Sequence, residues 1–249
     1  MSAPRPGAAP RTEVLPTGAA KTAMVRQMFD AIAPRYDVVN RVMTFGLDQG
    51  WRRRTVAALE LAPGAIVLDL ACGTGDLTAL LRAAGHRALG ADLSFGMLAA
   101  AGAAGRGPVL EADAAALPLA DGALDGIVSG FALRNFTDLA AIFAEAARVL
   151  RPGGRIALLE VDTPAAGLLR LGHGVWFERI VPRLGGLLSD AAAYRYLPRS
   201  VAYLPAPPAL AAMLSSAGFT RVVRRGLSGG VVQLISASRT KDAARAAGL

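Results

Sequence analysis

Cysteine, histidine and tryptophan are nearly missing from this chain of 249 residues, which holds one cysteine, two histidines and two tryptophans. The lone Cys72 excludes an internal disulfide and suits a reducing cytoplasm. No clustered Cys/His/Asp spacing suits a metal, so no metal site is expected. Despite a hydrophobic content of 53%, no uninterrupted apolar run reaches the ~18–20 residues that a bilayer-spanning helix needs. The first residues carry no apolar core ahead of a cleavage site, so no secretory signal is read. Acidic residues are in deficit too, 19 against 27 Lys and Arg. The resulting net charge of +8 favours a polyanion, either nucleic acid or the anionic face of a membrane, unless it only reflects heavy use of arginine. The length fits one α/β domain with a cap, or at most two small domains.

What is present is organised around IVLDLACGTGDLT at 66–78. The apolar run 66–70 reads as a buried parallel strand, and a helical pattern begins near Asp76. Between them lie Gly73, Thr74 and Gly75. Glycines at a strand-to-helix turn admit a ligand close to the backbone, and the helix start beyond offers unpaired N–H donors. A dinucleotide fingerprint would place a third glycine where Thr78 stands, so the turn suits a single nucleoside and no pyrophosphate. A second short strand, 88–91, ends at Asp92, about 20 residues past the turn, where an acidic residue holds a ribose diol. Cys72, inside the turn, reads as a small packing residue and not as a nucleophile.

Along the chain, residues 1–20 are rich in Pro, Ala and Gly and read as a disordered tail. Helical spacing starts near Thr22, with Val25, Met28, Phe29 and Ile32 on one face, until Pro34. Residues 51–61 read as a helix, stopped by Pro63-Gly64. Then strands (66–70, 87–91, 108–111, 124–129, 155–160) alternate with helices (76–84, 95–104, 138–150), and a turn falls at 151–154. Repeated βα units of this length mean an α/β fold with a mostly parallel sheet covered on both faces. Residues 161–205 break the rhythm with an apolar segment interrupted by Gly and Pro. It reads as a packing subdomain, a dimer face or a lid over an apolar substrate. A helix at 207–217 and strands 219–226 and 230–237 close the domain, 21–240, ahead of an Ala-rich tail at 241–249.

Asp69, Cys72-Gly73-Thr74-Gly75 and Asp92 together resemble the S-adenosylmethionine site of class I methyltransferases. Further blocks resemble one family, the C-methyltransferases of menaquinone and ubiquinone biosynthesis. They are FDAIAPRYDVVNRVMTFGLDQGWRRR at 29–54, VLDLACGTGDLT at 67–78, ADLSFGML at 91–98, GFALRNFTD at 130–138, EAARVLRPGGRIALLE at 145–160, AYRYLPRS at 193–200 and GLSGGVV at 226–232. The match covers about residues 24–239, and the first and fourth of these blocks are its specific ones. The resemblance implies a Rossmann-like class I methyltransferase sheet ending in an antiparallel hairpin, with a helical N-terminal cap. It also implies S-adenosylmethionine as cofactor and methyl transfer to a ring carbon of a demethylated polyprenyl quinol.

Carried over residue by residue, the resemblance puts Thr74 and the Gly73 and Gly75 backbone at the methionine part of the cofactor, beside Asp69. It puts Asp92 at the ribose and Asp113-Ala114 at the adenine edge. Gly130 departs from the serine often found there and forgoes a hydroxyl contact to the cofactor. Ile235 stands where the family pattern suggests histidine.

The chemistry can be argued from residue types. A quinol carbon becomes nucleophilic as its neighbouring hydroxyl ionises, so a phenolate must be stabilised in a dry pocket. Arg134 and Asn135, on the loop after strand 124–129, are typed for it: a permanently charged fork and an amide to hold the second oxygen. The alternative for Arg134 is a loop-tying ion pair. Tyr36 and Asp37 are candidates to close over the reaction centre, with Asp37 as proton acceptor; Tyr194 and Tyr196, from the insertion, are candidates for the same task. Each tyrosine serves equally well as an amphipathic packing residue. Trp176 is the insertion's aromatic candidate for substrate or lipid contact, with Arg170, Arg179 and Arg183 flanking its apolar segment. His86 reads as a solvated helix cap and His173 as a structural histidine. Peripheral association with an anionic membrane follows for a cytoplasmic enzyme whose substrate lies in a bilayer. A nucleic-acid methyltransferase, a methyltransferase of another small apolar ring and a non-catalytic ligand-binding protein are the competing readings. No polar loop suited to gripping an extruded base is seen, which disfavours nucleic acid.

Overall fold

The structure is a computed structural model that describes residues 16–162, 164 and 191–241, with the side chains of 191, 192, 194, 195 and 197 outside that description. Trp176, His173, Arg170, Arg179, Arg183, the Tyr194 side chain, residues 1–15 and 242–249 and most of the 161–205 insertion lie outside the described residues.

Seven strands form one sheet: β1 (Ile66–Leu70), β2 (Arg87–Asp92), β3 (Val109–Glu111), β4 (Leu124–Gly130), β5 (Leu150–Val161), β6 (Phe219–Leu227) and β7 (Val232–Arg239). Their order is β3-β2-β1-β4-β5-β7-β6. The first five are parallel and β7 runs antiparallel to both β5 and β6, giving the terminal hairpin. The strand order reverses between β1 and β4, and ligands of open α/β sheets sit at the carboxyl ends of the strands beside such a switch point.

The two-residue alternation of each strand feeds two cores. Leu68, Leu70, Ile127, Ile156 and Leu158 pack with Phe143 and Ile142 of α6 (Leu139–Val149) on one face. Val67, Val128, Ala157 and Leu159 pack on the other face with Leu77 and Leu81 of α4 (Asp76–Ala83) and Trp51 of α3 (Leu47–Ala57). Gly90 on β2 is required by close approach, because a Cβ there would lie 2.8 Å from Cys72 Sγ. Burial drives the Cys72 thiol upward in pKa, which suits the packing role read from the sequence.

The N-terminal cap is α1 (Gly18–Ile32), a 3-10 turn (Ala33–Arg35) and α2 (Tyr36–Met43), with α5 (Phe95–Ala103) beneath. Three boundaries differ from the sequence reading. Helix α1 begins at Gly18, inside the segment 1–20 read as disordered, where the buried Lys21 anchors it. Helix α3 spans Leu47–Ala57 instead of 51–61, because left-handed Phe45 (φ 52°) and Gly46 (φ 73°) turn the chain into it earlier. Residues Arg151–Gly154 fall inside β5 as a bulge: pairing steps from Leu124↔Leu150 to Gly126↔Arg155, with Gly153 at φ +80°. The described end of the insertion is helical, α7 (Ala191–Ser200) followed by a 3-10 turn (Val201–Tyr203), and α8 (Pro207–Ser216) then leads into the hairpin.

Candidate functional site

A cavity, partly open to solvent, lies at the carboxyl ends of β1, β2, β3 and β4. Its polar wall comes from Gly73, Asp92, Ser94, Asp113 and Ala114, and its apolar wall from Val25, Phe29, Tyr36, Met97, Phe131 and Phe136. Gly130 and Asn135 complete the lining. Cofactor candidates from three strand ends and substrate candidates from the cap and the β4 loop therefore share one space.

Asp92 is fixed by two backbone donors: Gly73 N–H donates to Oδ2 at 2.8 Å and Ser94 N–H to Oδ1 at 2.9 Å. Each oxygen keeps a second acceptor direction. Burial raises the Asp92 pKa, against the pull of those N–H groups. Two non-glycine residues lining the cavity adopt left-handed backbone, Ala71 (φ 54°) after β1 and Phe131 (φ 61°) after β4. Such strain persists where the surroundings over-determine it. At Phe131 they do: its N–H donates to Leu159 O at 2.7 Å, Trp51 packs edge-on with ring centres 6.3 Å apart, and the Arg52 guanidinium lies 5.6 Å from the ring centre.

Several sequence candidates stand behind the cavity wall. Asp69 is buried and turned into α4: its Oδ2 accepts from Thr78 N–H at 2.8 Å and Thr78 Oγ1 at 2.7 Å. Burial pushes its pKa up to about 7. Asp69 thus fixes the helix after the glycine turn, and nothing places it at a cofactor atom. Thr74 is buried and donates to Asp37 Oδ1 at 2.5 Å, while Asp37 Oδ2 is 2.7 Å from Arg106. Gly75, at φ +84°, is crowded by Arg106 and Ala101 and caps α4. Arg106 also pairs with Asp76, and Arg52 bridges Asp76 at 3.6 Å and Asp48 at 3.5 Å. This arginine–carboxylate lattice straps α2 and α3 to the glycine turn. With both oxygens engaged, Asp37 is a strap in this arrangement, not a carboxylate aimed into the cavity as a proton acceptor.

Arg134 matches, by its contacts, the second reading given for it, a loop-tying ion pair. It is buried, pairs with the fully buried Glu160, and donates to Phe131 O at 2.9 Å and Ser200 Oγ at 3.1 Å. Low-dielectric surroundings make that pair costly to break, and it ties the β4 loop to β5. Asn135 is the half of the Arg134-Asn135 pair that reaches the cavity. Tyr196, buried on α7, has its hydroxyl 3.3 Å from Asn135 Oδ1, and burial pushes its pKa up to about 12. So Tyr196 sits behind Asn135 and not in the cavity lining.

Sequence reasoning missed three residues. Lys21 is buried, donates to the carbonyls of Arg134 at 2.9 Å and Phe136 at 2.7 Å, and sits 3.5 Å from the centre of the Tyr203 ring. Burial lowers its pKa to about 8. Asp30 of α1 accepts from Ser94 Oγ at 2.6 Å and Gly96 N–H at 2.9 Å, at the positive start of α5. Glu160 is the partner of Arg134. Helical spacing marks which face of α1 is apolar, but it holds no signal for a lysine clasped by carbonyls more than a hundred residues away.

Among the described residues no group of His, Cys, Asp and Glu could hold a metal ion, and no helix is long and apolar enough to cross a membrane.

This strand order, the glycine turn after β1 and the acidic residue that ends β2 define an S-adenosylmethionine-dependent methyltransferase of class I. Solved structures share the fold. A methyltransferase of Thermotoga maritima superposes with a TM-score of 0.61 at 19% identity, covering 87% of this chain and 99% of that one. Magnesium protoporphyrin IX methyltransferase of Synechocystis, solved with bound S-adenosylhomocysteine, gives 0.60 at 19% identity over 88% of this chain and all of that one. Residues 17–239 match the ubiE/COQ5 methyltransferase family, and the chain belongs to it. It is 52% identical to a demethylmenaquinone methyltransferase of Thermus thermophilus over 78% of this chain and 91% of the relative. A ubiquinone/menaquinone biosynthesis C-methyltransferase of Syntrophotalea carbinolica is 43% identical over 86% of this chain and 94% of the relative.

Proposed function

We propose that this protein methylates a ring carbon of a demethylated polyprenyl quinol, with S-adenosylmethionine as donor. The observation that carries the reading is the single cavity whose polar wall is the glycine turn with Asp92 and Asp113 and whose apolar wall is Val25, Phe29, Tyr36, Phe131 and Phe136. The similarity to demethylmenaquinone and ubiquinone/menaquinone methyltransferases supports the same substrate class.

The residues present fit the cofactor. Asp92, with both oxygens oriented by backbone donors, is placed to accept from a ribose diol. Gly73, left-handed at φ +55° and without a Cβ, lets the turn approach the methionine part. Asp113 and Ala114 close the far end as an adenine edge. When bound, the cofactor supplies an electrophilic sulfonium methyl.

This chain's own residues do the remaining work. Phe29, Tyr36, Phe131 and Phe136 exclude water and hold an apolar ring. The Tyr196 hydroxyl donates to Asn135 Oδ1 while the amide nitrogen lies 3.5 Å from Phe131 O, and the second N–H of that nitrogen remains to donate to the phenolate oxygen as charge develops. Arg134 and Lys21 position that loop from behind. The protein attaches peripherally to an anionic membrane, where such a substrate resides. Incubation with methyl-labelled donor and a panel of demethylated quinols tests the proposal. Ring-methylated product identified by mass spectrometry is expected; label only in nucleic acid or in unrelated phenols overturns it.

A further inference from the structure

We propose that the outer face of α2, with the turn and helix start that follow it, is the surface that docks on an anionic phospholipid bilayer. The inference rests on the quinol reading above, which requires access to a membrane-dissolved substrate. Most large apolar residues of a folded chain are covered, so a cluster of exposed ones marks an interaction site. Four of the large apolar residues that remain exposed fall within ten positions: Val38 at 60%, Val42 at 44%, Phe45 at 72% and Leu47 at 51%. Val38 and Val42 are one helical turn apart and share the outward face of α2.

The inward face of the same helix is committed elsewhere. Val39 is buried against α5, Tyr36 lines the cavity, and Asp37 bonds Thr74 of the glycine turn. One helix therefore presents an apolar outer stripe while its other side forms the cavity wall. The outer stripe lies about one helix diameter, ~10 Å, from the site.

Charge complementarity selects the partner. Arg35 and Arg41, both exposed, stand three positions before and after Val38, where helix geometry places neighbours, and Arg41 stays half exposed although it lies 3.9 Å from Asp76. Arg53 and Arg54, also exposed, follow on α3. An apolar stripe bordered by arginines fits lipid tails beneath anionic headgroups, with the guanidiniums at the headgroup level. A second protein would also cover the valines, but the arginines on both flanks and the net charge of +8 favour a continuous anionic surface. The expected contact at 168–181 lies outside the described residues, so this face stands on its own evidence.

The test is flotation of the full chain with phosphatidylcholine vesicles, with and without phosphatidylglycerol, across a salt series. Binding is expected only where the anionic lipid is present, and it should weaken as salt rises. The double variant Val38→Ser with Val42→Ser should lower the partition coefficient by about tenfold or more, since the exposed halves of the two valines together equal about one aliphatic side chain kept out of lipid. Arg35→Gln with Arg41→Gln should remove most of the salt-sensitive part. Thermal unfolding and turnover of the serine variant on a water-soluble, short-tailed quinol should match the parent, since neither valine lines the site. Its turnover on a vesicle-embedded, long-tailed quinol should fall with binding. Parent-like flotation of the serine variant overturns the proposal, as does a dimer in sedimentation that this variant dissociates. Absence of turnover by the parent on every quinol sinks the substrate reading, while the flotation result, which needs no substrate, still decides the docking surface.

Discussion

Arg134 and Glu160 form a buried ion pair across the strand ends of β4 and β5, with Glu160 fully buried and its Oε1 also accepting from Val161 N–H at 2.8 Å. The pair closes the loop that carries Asn135 at the cavity, so an effect of Arg134 on the reaction is expected to run through position. Removing one partner of such a pair leaves an uncompensated buried charge and costs about 3–5 kcal/mol. Glu160→Gln should therefore lower urea-unfolding stability by several kcal/mol, and Arg134→Lys, which keeps the charge but loses the fork, by less. Lysine cannot reach the carboxylate, Phe131 O and Ser200 together. The folded fraction of Arg134→Lys should keep its cofactor affinity. A fully stable Arg134→Lys protein with collapsed single-turnover rate would return Arg134 to direct contact with the substrate oxygen.

Asp92→Ala removes the acceptor proposed for the ribose and frees the Gly73 and Ser94 N–H groups. Cofactor affinity by titration calorimetry should weaken by about 1.5–3 kcal/mol, the scale of hydrogen bonds to a charged group. An unchanged Kd removes the assignment.

The sheet, the glycine turn and the Asp92 position were legible because each depends on local spacing: a two-residue alternation, a turn that needs glycine, an acid at a strand end. What lay behind the turn was not. The lattice of Asp37, Asp48, Asp76, Arg52 and Arg106 joins residues that are near in space only after three helices pack. Of these side chains only Asp37 is singled out in the sequence, as a proton acceptor. Asp37 and Arg134 were read as catalytic by residue type alone, while their partners Arg106 and Glu160 sit 69 and 26 positions away. Phe131 gives no sequence sign of its left-handed backbone, because the strain is imposed by Trp51, Arg52 and Leu159 around it.

Tyr196→Phe deletes the donor to Asn135 Oδ1 and leaves the ring in place. The amide orientation then rests, among the described residues, on the 3.5 Å contact of its nitrogen with Phe131 O alone. We expect kcat to fall several-fold with little change in cofactor Kd or folding stability, because the bond is long and neutral at 3.3 Å. Asn135→Ala should cost more than Tyr196→Phe, and the double variant should cost no more than Asn135→Ala. Additive losses would mean that Tyr196 acts on the substrate independently.

Asp69 gives a pH signature with a definite sign. Burial raises its pKa from the ordinary 3.8 to about 7, outweighing the Thr78 bonds and the Arg52 charge that pull it down. Its Oδ1 has no hydrogen-bond partner among the described residues, so the proton has a place to reside. The folded chain then holds this proton up to about pH 7 while the unfolded chain releases it near 3.8. The folded state binds more protons in that window, so this contribution is complete below the unfolded value and is lost as pH rises through the folded one. In Asp69→Asn the amide oxygen still accepts from Thr78, but nothing titrates. Stability of the parent relative to this variant should decline toward pH 7, by at most about 1.4 kcal/mol per pH unit for a single proton. Urea titrations of both proteins at matched pH values provide the difference, in which the other ionisable groups cancel. Parallel stability curves across the window would mean that Asp69 is ionised in the fold, held so by Thr78 and Arg52.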